Sequence, residues 1–234
     1  MAEREPEFEV GPEVPGWTAR PLPPRTALSG RVALVEPLDP ARRAQDLFAA
    51  FAADRDGRGW TYLPYGPFAD ERAFRAWLDA IAARDDPLFH SIIDRASGRA
   101  VGMASYLRID AAHGVIEVGH LHFSPALQRT AVASEAMYLM MARAFDELGY
   151  RRYEWKCNSL NAPSCAAALR FGFRYEGTFR QAQVVKGRNR DTAWYSIIDS
   201  EWPAVKAGFE RWLDPGNFDA RGHQRQSLAA LRGS

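Results

Sequence analysis

A strand-like run ending near Phe123 leads into Gln128-Arg129-Thr130-Ala131-Val132-Ala133-Ser134-Glu135-Ala136, and a strongly periodic helix, residues 133–148, follows. This junction constrains the chain more than any other segment. A strand, a short turn of small residues and a helix start together aim unpaired backbone N–H groups at one point, where phosphate oxygens are stabilised. On the helix, Met137, Met140, Met141, Ala144, Phe145 and Leu148 fall on one side, and Gly149 stops it. Methionine at that spacing reads as core filling.

The remaining elements alternate. Residues 31–36 read as a strand and 40–53 as an alanine-rich helix. Residues 61–68 are loop-like, and Asp70 caps a helix carrying Phe74, Trp77, Leu78 and Ile81 at helical spacing. Strands are expected at 88–94, 100–109 and 115–123, the last with Gly119 marking a bulge or a close approach. A strand at 152–157, a short helix at 163–171 ended by Gly172, and a hairpin of 173–185 and 191–198 turned at Lys186-Gly187-Arg188-Asn189 follow. A last helix, 201–212, places Trp202, Val205, Phe209 and Trp212 on one face. Helices first, then an antiparallel run, then β-α-β-α-β-β imply a mixed α/β sheet with helices on its faces.

Residues 1–28, acidic and proline-rich, are expected to form an extended or disordered arm; 29–213 form one domain; 214–234, opened by Asp214-Pro215-Gly216-Asn217, read as a flexible tail. Hydrophobic content of 47% and charged content of 25% suit a soluble globular protein. A net charge of +1 gives no electrostatic case for nucleic acid or acidic membranes as partners. The start does not read as a signal peptide and no apolar run approaches a membrane span, so a cytoplasmic location is expected. Cys157 and Cys165 lack metal-ligand spacing and no histidine cluster accompanies them; they read as buried or semi-buried thiols, and no metal site is expected.

In combination, Gln128 to Ala133, the helix opening Asn161-Ala162-Pro163-Ser164, Phe171-Gly172-Phe173 and Glu176-Gly177 resemble the GNAT N-acetyltransferases, in particular the RimJ/RimL-like ribosomal-protein N-terminal acetyltransferases. Those show a phosphate loop Q/R-x-x-G-x-G/A, then N-x-x-S, G-F and E-G, and Leu28-Ser29-Gly30-Arg31 through Leu38 is similar to their opening. The likeness covers roughly residues 26–213. It implies a GNAT-like fold with a mostly antiparallel central sheet flanked by helices, and acetyl-CoA as acyl donor. Ala131 stands where the first loop glycine is usual. Alanine fits there if its backbone is already helical, whereas a positive φ would call for glycine.

The resemblance further implies site residues. Phe123, Gln128, Arg129, Thr130, Ala131, Val132, Ala133, Ser134 and Asn161 would bind the donor, with the N–H groups of about Thr130 to Ser134 on the pyrophosphate and Asn161 capping its helix as well or instead. The strand at 116–123 would part from its neighbour and offer its backbone edge to the pantetheine arm. Ser164 would hydrogen-bond the CoA sulfur, or merely cap its helix. Glu117 is the best carboxylate for a base acting through water, or is an ordinary strand residue; Gln183 stands where some relatives carry an acid. Trp60, Tyr62, Tyr65 and His120 would form the acceptor groove, or the aromatic loop seals the core. Lys186, Arg188 and Arg190 would favour an acidic acceptor, or form a solvated turn.

The function so implied is acetyl transfer to an amine, on a protein N-terminus or a small molecule, by direct attack, because neither cysteine has a partnered base in view. A non-catalytic acyl-CoA-binding module stays open beside it, as do monomer and homodimer.

Overall fold

The computed structural model describes residues 8–232. At its centre lies an eight-stranded sheet of β1 (Leu28–Ser29), β2 (Ala33–Pro37), β3 (Leu88–Asp94), β4 (Arg99–Asp110), β5 (Val115–Phe123), β6 (Arg152–Asn158), β7 (Arg174–Val185) and β8 (Arg188–Ile198). The spatial order is β1-β2-β3-β4-β5-β6-β8-β7. All neighbours are antiparallel except β5 and β6, which run parallel. The expected mixed, mostly antiparallel sheet is therefore present.

Helices cover both faces: α1 (Pro40–Ala52) and α2 (Glu71–Ala82) one, and α3 (Ala131–Ala142), α4 (Ala162–Phe171) and α5 (Trp202–Leu213) the other. Strand periodicity divides the core between them. On β3, Leu88 and Ile92 join Met137, Met140 and Phe209, while Phe89 and Ile93 join Leu47, Phe74 and Leu78. Asp39 and Asp70 cap α1 and α2 by accepting from Ala41 and Ala73 N–H. No helix among the described residues is long and apolar enough to cross a membrane.

Three expectations need correction. The long helix starts two residues early, because Thr130 caps it, and ends as a wider π turn at Arg143–Glu147. The hairpin turns on only two residues, Lys186 (φ 49°) and Gly187 (φ 71°), so β8 starts at Arg188. The tail is packed: Leu228, in the short helix α6 (Leu228–Arg232), is wholly buried, and Gln224 Oε1 accepts from Trp212 Nε1 at 2.7 Å. In a polar stretch, one buried leucine held by side-chain amides leaves no periodic trace. The N-terminal arm is extended from residue 8 onward and pinned at intervals, as where Trp17 Nε1 donates to Ala112 O (2.9 Å) and Arg20 N to Ala111 O (2.8 Å).

One buried carboxylate ties α3 to the start of the sheet. Glu135 accepts from the backbone N–H groups of Arg31 (2.9 Å), Val32 (2.6 Å) and Ala33 (2.6 Å), and is 5% exposed. Gly30 lies so close that a Cβ there would come within 2.5 Å of the carboxyl group. Glu135→Ala is expected to cost about 3 kcal/mol or more, since it orphans three N–H groups. Urea unfolding measures this, and a loss under about 1 kcal/mol would mean the tie is unimportant.

Candidate active site

The site begins where two parallel strands separate. β5 pairs with β6 from Val115↔Arg152 to Val118↔Trp155 and no further, although both strands continue. On its other side, β5 pairs Gly119 with Ser105 and His122 with Met103, which leaves one extra residue between them. His120 lies in this bulge with φ 50°. Bulges bend the strand that carries them, and here the bend coincides with the opening of a wedge between β5 and β6. The wedge leaves the backbone edge of the second half of β5 without a strand partner on the β6 side.

The wedge leads to the start of α3. Ser124 O accepts from Leu127 and Gln128 N–H, Gln128 Nε2 donates to Phe123 O (2.9 Å), and Arg129 turns the chain with φ 61°. Thr130 Oγ1 accepts from Ala133 N–H (3.2 Å), and Ser134 N–H is taken by Thr130 O. The N–H groups without an acceptor among the described residues are therefore those of Arg129, Thr130, Ala131 and Val132. This set starts and ends earlier than the expected Thr130 to Ser134, because Thr130 caps the helix. Ala131 is the first helical residue and has no positive φ, so its methyl group is compatible with the turn. A cation stands beside the cradle that sequence reading missed: Arg170 Nη1 donates to Ser134 Oγ at 3.0 Å. The side chains of Gln128 and Thr130, expected to contact a ligand, hold the loop through their own hydrogen bonds, while the Thr130 N–H stays unpaired.

Across the wedge, α4 opens with Asn161, whose Oδ1 accepts from Ser164 N–H (3.3 Å), a capping role. Ser164 Oγ accepts from Trp155 Nε1 at 3.1 Å and so faces the strand that leaves β5. Cys157 lies next to it, its sulfur 3.6 Å from that of Cys165. Burial pushes the Cys157 thiol up to about 12, which disfavours a nucleophilic thiolate.

The sheet face towards α1 and α2 carries a ladder of charge. Arg108 Nη1 contacts both Glu117 oxygens (2.8 and 2.7 Å), and Lys156 Nζ contacts Glu117 (2.9 Å) and Glu154 (2.7 Å). Arg152 then joins Glu154 (2.6 Å) to Glu176 (2.5 Å). Lys156 also lies 3.7 Å from the centre of the Trp194 ring. Glu117, expected as a base, is thus buried with both oxygens engaged by cations.

Comparison with known proteins fits this geometry. Residues 33–174 match the model of the acetyltransferase (GNAT) domain. The chain belongs to the GNAT acetyltransferase family. A GCN5-related N-acetyltransferase from Brucella melitensis superposes with a TM-score of 0.93 at 48% identity, covering 94% of this chain and all of that one. An uncharacterized N-acetyltransferase of Bacillus subtilis is 27% identical over 159 residues, 68% of this chain and 91% of the relative. A ribosomal-protein-serine acetyltransferase of Escherichia coli is 29% identical over 102 residues, 43% of this chain and 56% of that protein.

In this GNAT chain the aromatic residues expected at the acceptor groove divide into two groups. Trp60 is buried in the α1–α2 core, against Phe51, Phe74 and His122, and so seals the core instead of lining a groove. Tyr62 and Tyr65 are half-buried, Tyr65 packing against Trp60 and Trp77. Tyr62 Oη donates to Leu160 O (3.0 Å), beside the start of α4, and Tyr65 Oη lies 3.0 Å from His120 Nδ1. Lys186 Nζ, at the hairpin tip, fastens the loop by donating to Trp60 O (2.8 Å) and Gly66 O (2.7 Å). Lys186 is therefore not free for a ligand.

Burial lowers His120 to about 4, with Arg108 and Arg190 adding to the effect, and burial lowers His122 and His90 to about 4 as well. All three are neutral at pH 7. From pH 6.5 down to 4, unfolded histidines take up protons that the folded ones refuse, so stability falls across that window. The slope approaches about 1.4 kcal/mol per pH unit for each group. Melting temperatures measured from pH 7.5 to 4 should fall most steeply below pH 6.5. Replacing His122 by Asn or Gln should make that fall shallower.

Proposed function

We propose that the chain transfers an acetyl group from acetyl-CoA to an amine by direct attack. The observation that carries this reading is the continuity of three features: orphaned N–H groups at a helix start, an open strand edge, and the Ser164 hydroxyl across the wedge. Four N–H groups and the helix dipole suit a pyrophosphate, with Arg129 and Arg170 as nearby cations. The unpaired edge of β5 suits the amides of an extended pantetheine arm, which places the thioester between the edge and Ser164.

There the acceptor nitrogen attacks the thioester carbonyl. The N–C bond forms, the C–S bond breaks, and the nitrogen's proton passes to solvent in the groove. Ser164 Oγ accepts from Trp155 Nε1, and its own hydrogen, which meets the Cys157 sulfur in the resting site, turns to the departing sulfur. Glu117 fixes Arg108 and Lys156, and with both oxygens engaged it is poorly placed to take a proton. An α-amino group, with a usual pKa of about 7.7–8.0, is partly neutral near pH 7 and needs positioning more than a strong base. Burial disfavours a Cys157 thiolate, which supports direct attack over an acyl-enzyme.

Two substitutions separate binding from chemistry. Ala131→Asp places an acid where the helix dipole welcomes one, so the melting temperature should hold, yet it opposes a pyrophosphate at the free N–H groups. Affinity for CoA, read by calorimetry, should fall about tenfold or more. Ser164→Ala should leave CoA affinity nearly unchanged while lowering kcat about tenfold to a hundredfold. Thiol release from acetyl-CoA across a panel of amines tests the reading itself. Stabilisation by CoA without any amine-dependent release would reduce the protein to a binding module.

A further inference from the structure

Arg190 stands apart from the other cations of the Glu117 face. In the ladder Arg108–Glu117–Lys156–Glu154–Arg152–Glu176 each cation meets a carboxylate. Arg190 makes no ion pair among the described residues, is only half-buried, and has its Nε buried without an acceptor. Thr192 Oγ1 and Trp194 Nε1 are likewise buried without partners. Alternate residues of a strand share a face, and the registers Lys156↔Trp194 and Asn158↔Thr192 set these three side chains on the face that carries Lys156 and Glu117. Guanidinium and indole N–H groups can only donate. A row of unmet donors ending in an unbalanced cation is completed by a guest rich in acceptor oxygens. The charge of Arg190 also reaches His120 and Glu117, which locates it towards the wedge. Its neighbours on the hairpin do not compete: Lys186 is bound to the aromatic loop, and Arg188 is exposed at the turn.

We propose that the acceptor amine carries an anionic group, carboxylate or phosphate, and that Arg190 binds it, with Thr192 and Trp194 donating to neighbouring oxygens. This rests on the transferase reading above and names its substrate class. Arg190 is then a specificity-determining residue that holds the acceptor with its amine towards the thioester.

The test uses the full chain and matched amines: glutamate against glutamine, phosphoserine against serine, and short peptides that differ only in a first-residue Glu or Gln. Thiol release from acetyl-CoA gives turnover, and calorimetry with the CoA-bound protein gives affinity without turnover. The anionic member of at least one pair is expected to be favoured about tenfold or more. The pair that shows the larger preference tells carboxylate from phosphate. Arg190→Gln should remove the preference by raising KM, Arg190→Lys should restore part of it, and Arg188→Gln should leave it intact. CoA affinity should be the same in all of them. No preference in either measurement, or a preference that survives Arg190→Gln, overturns the proposal. If no amine is turned over but calorimetry shows the preference and its loss in Arg190→Gln, the transferase reading fails and the anion site stands.

Discussion

The extra residue in β5 is the constraint on which the rest of the site depends. With a regular ladder, β5 would follow β6 to its end and the sheet would close. The bulge at His120 lets β5 keep β4 as its partner on both sides of the kink while losing β6 beyond Val118. One irregularity therefore opens a backbone edge, leads through Phe123 to the start of α3 and sets His120 against Tyr65 of the aromatic loop. The unfavourable φ of 50° for a histidine is held by its surroundings: its ring stacks on Tyr65 and lies 5.0 Å from Phe89.

Charge and neutrality are distributed along the site with a consistent logic. On the proposed donor side, backbone dipoles and lightly burdened cations would meet anionic oxygen, and these require no partner to stay charged. The acceptor side uses side-chain charges, nearly all of them matched, so that burying the ladder does not leave bare ions. Its histidines are kept neutral by burial rather than by pairing. Charge added by a guest is thus felt where the matching stops, at Arg190.

Much of this was legible in the residues, for identifiable reasons. Strands 88–94 and 115–123 read correctly because both combine apolar runs with clear turn residues at their ends. The cradle was legible because a helix start is a local property, set by Thr130 and the small residues after it. Gly119 hinted at the bulge, while the residue that takes the positive φ is its neighbour. What could not be read was long-range pairing of polar side chains. Glu135 reads as one more acid in the first turns of a helix; its three backbone partners lie about a hundred positions earlier in the chain. Glu117 read as either a base or an ordinary strand residue, and its cation partners went unseen because Lys156 and Arg108, on two other strands, are not neighbours in sequence. For Trp60 both a substrate contact and a core seal stayed open, because a surface loop and a core-sealing loop have the same composition, and only the packing of Phe51 and Phe74 tells them apart.

The two halves of the site also differ in how freely sequence can vary there. The cradle asks for backbone geometry, so side chains matter only through their size and φ; alanine at 131 is acceptable because the left-handed residue of the turn lies two positions earlier, at Arg129. The acceptor side asks for particular side chains on β8 and on a loop clasped by the hairpin tip through Lys186. A change on that hairpin moves loop and groove together without touching the cradle. On the proposed reading, donor recognition belongs to the fold, whereas acceptor choice belongs to the hairpin and the loop it holds.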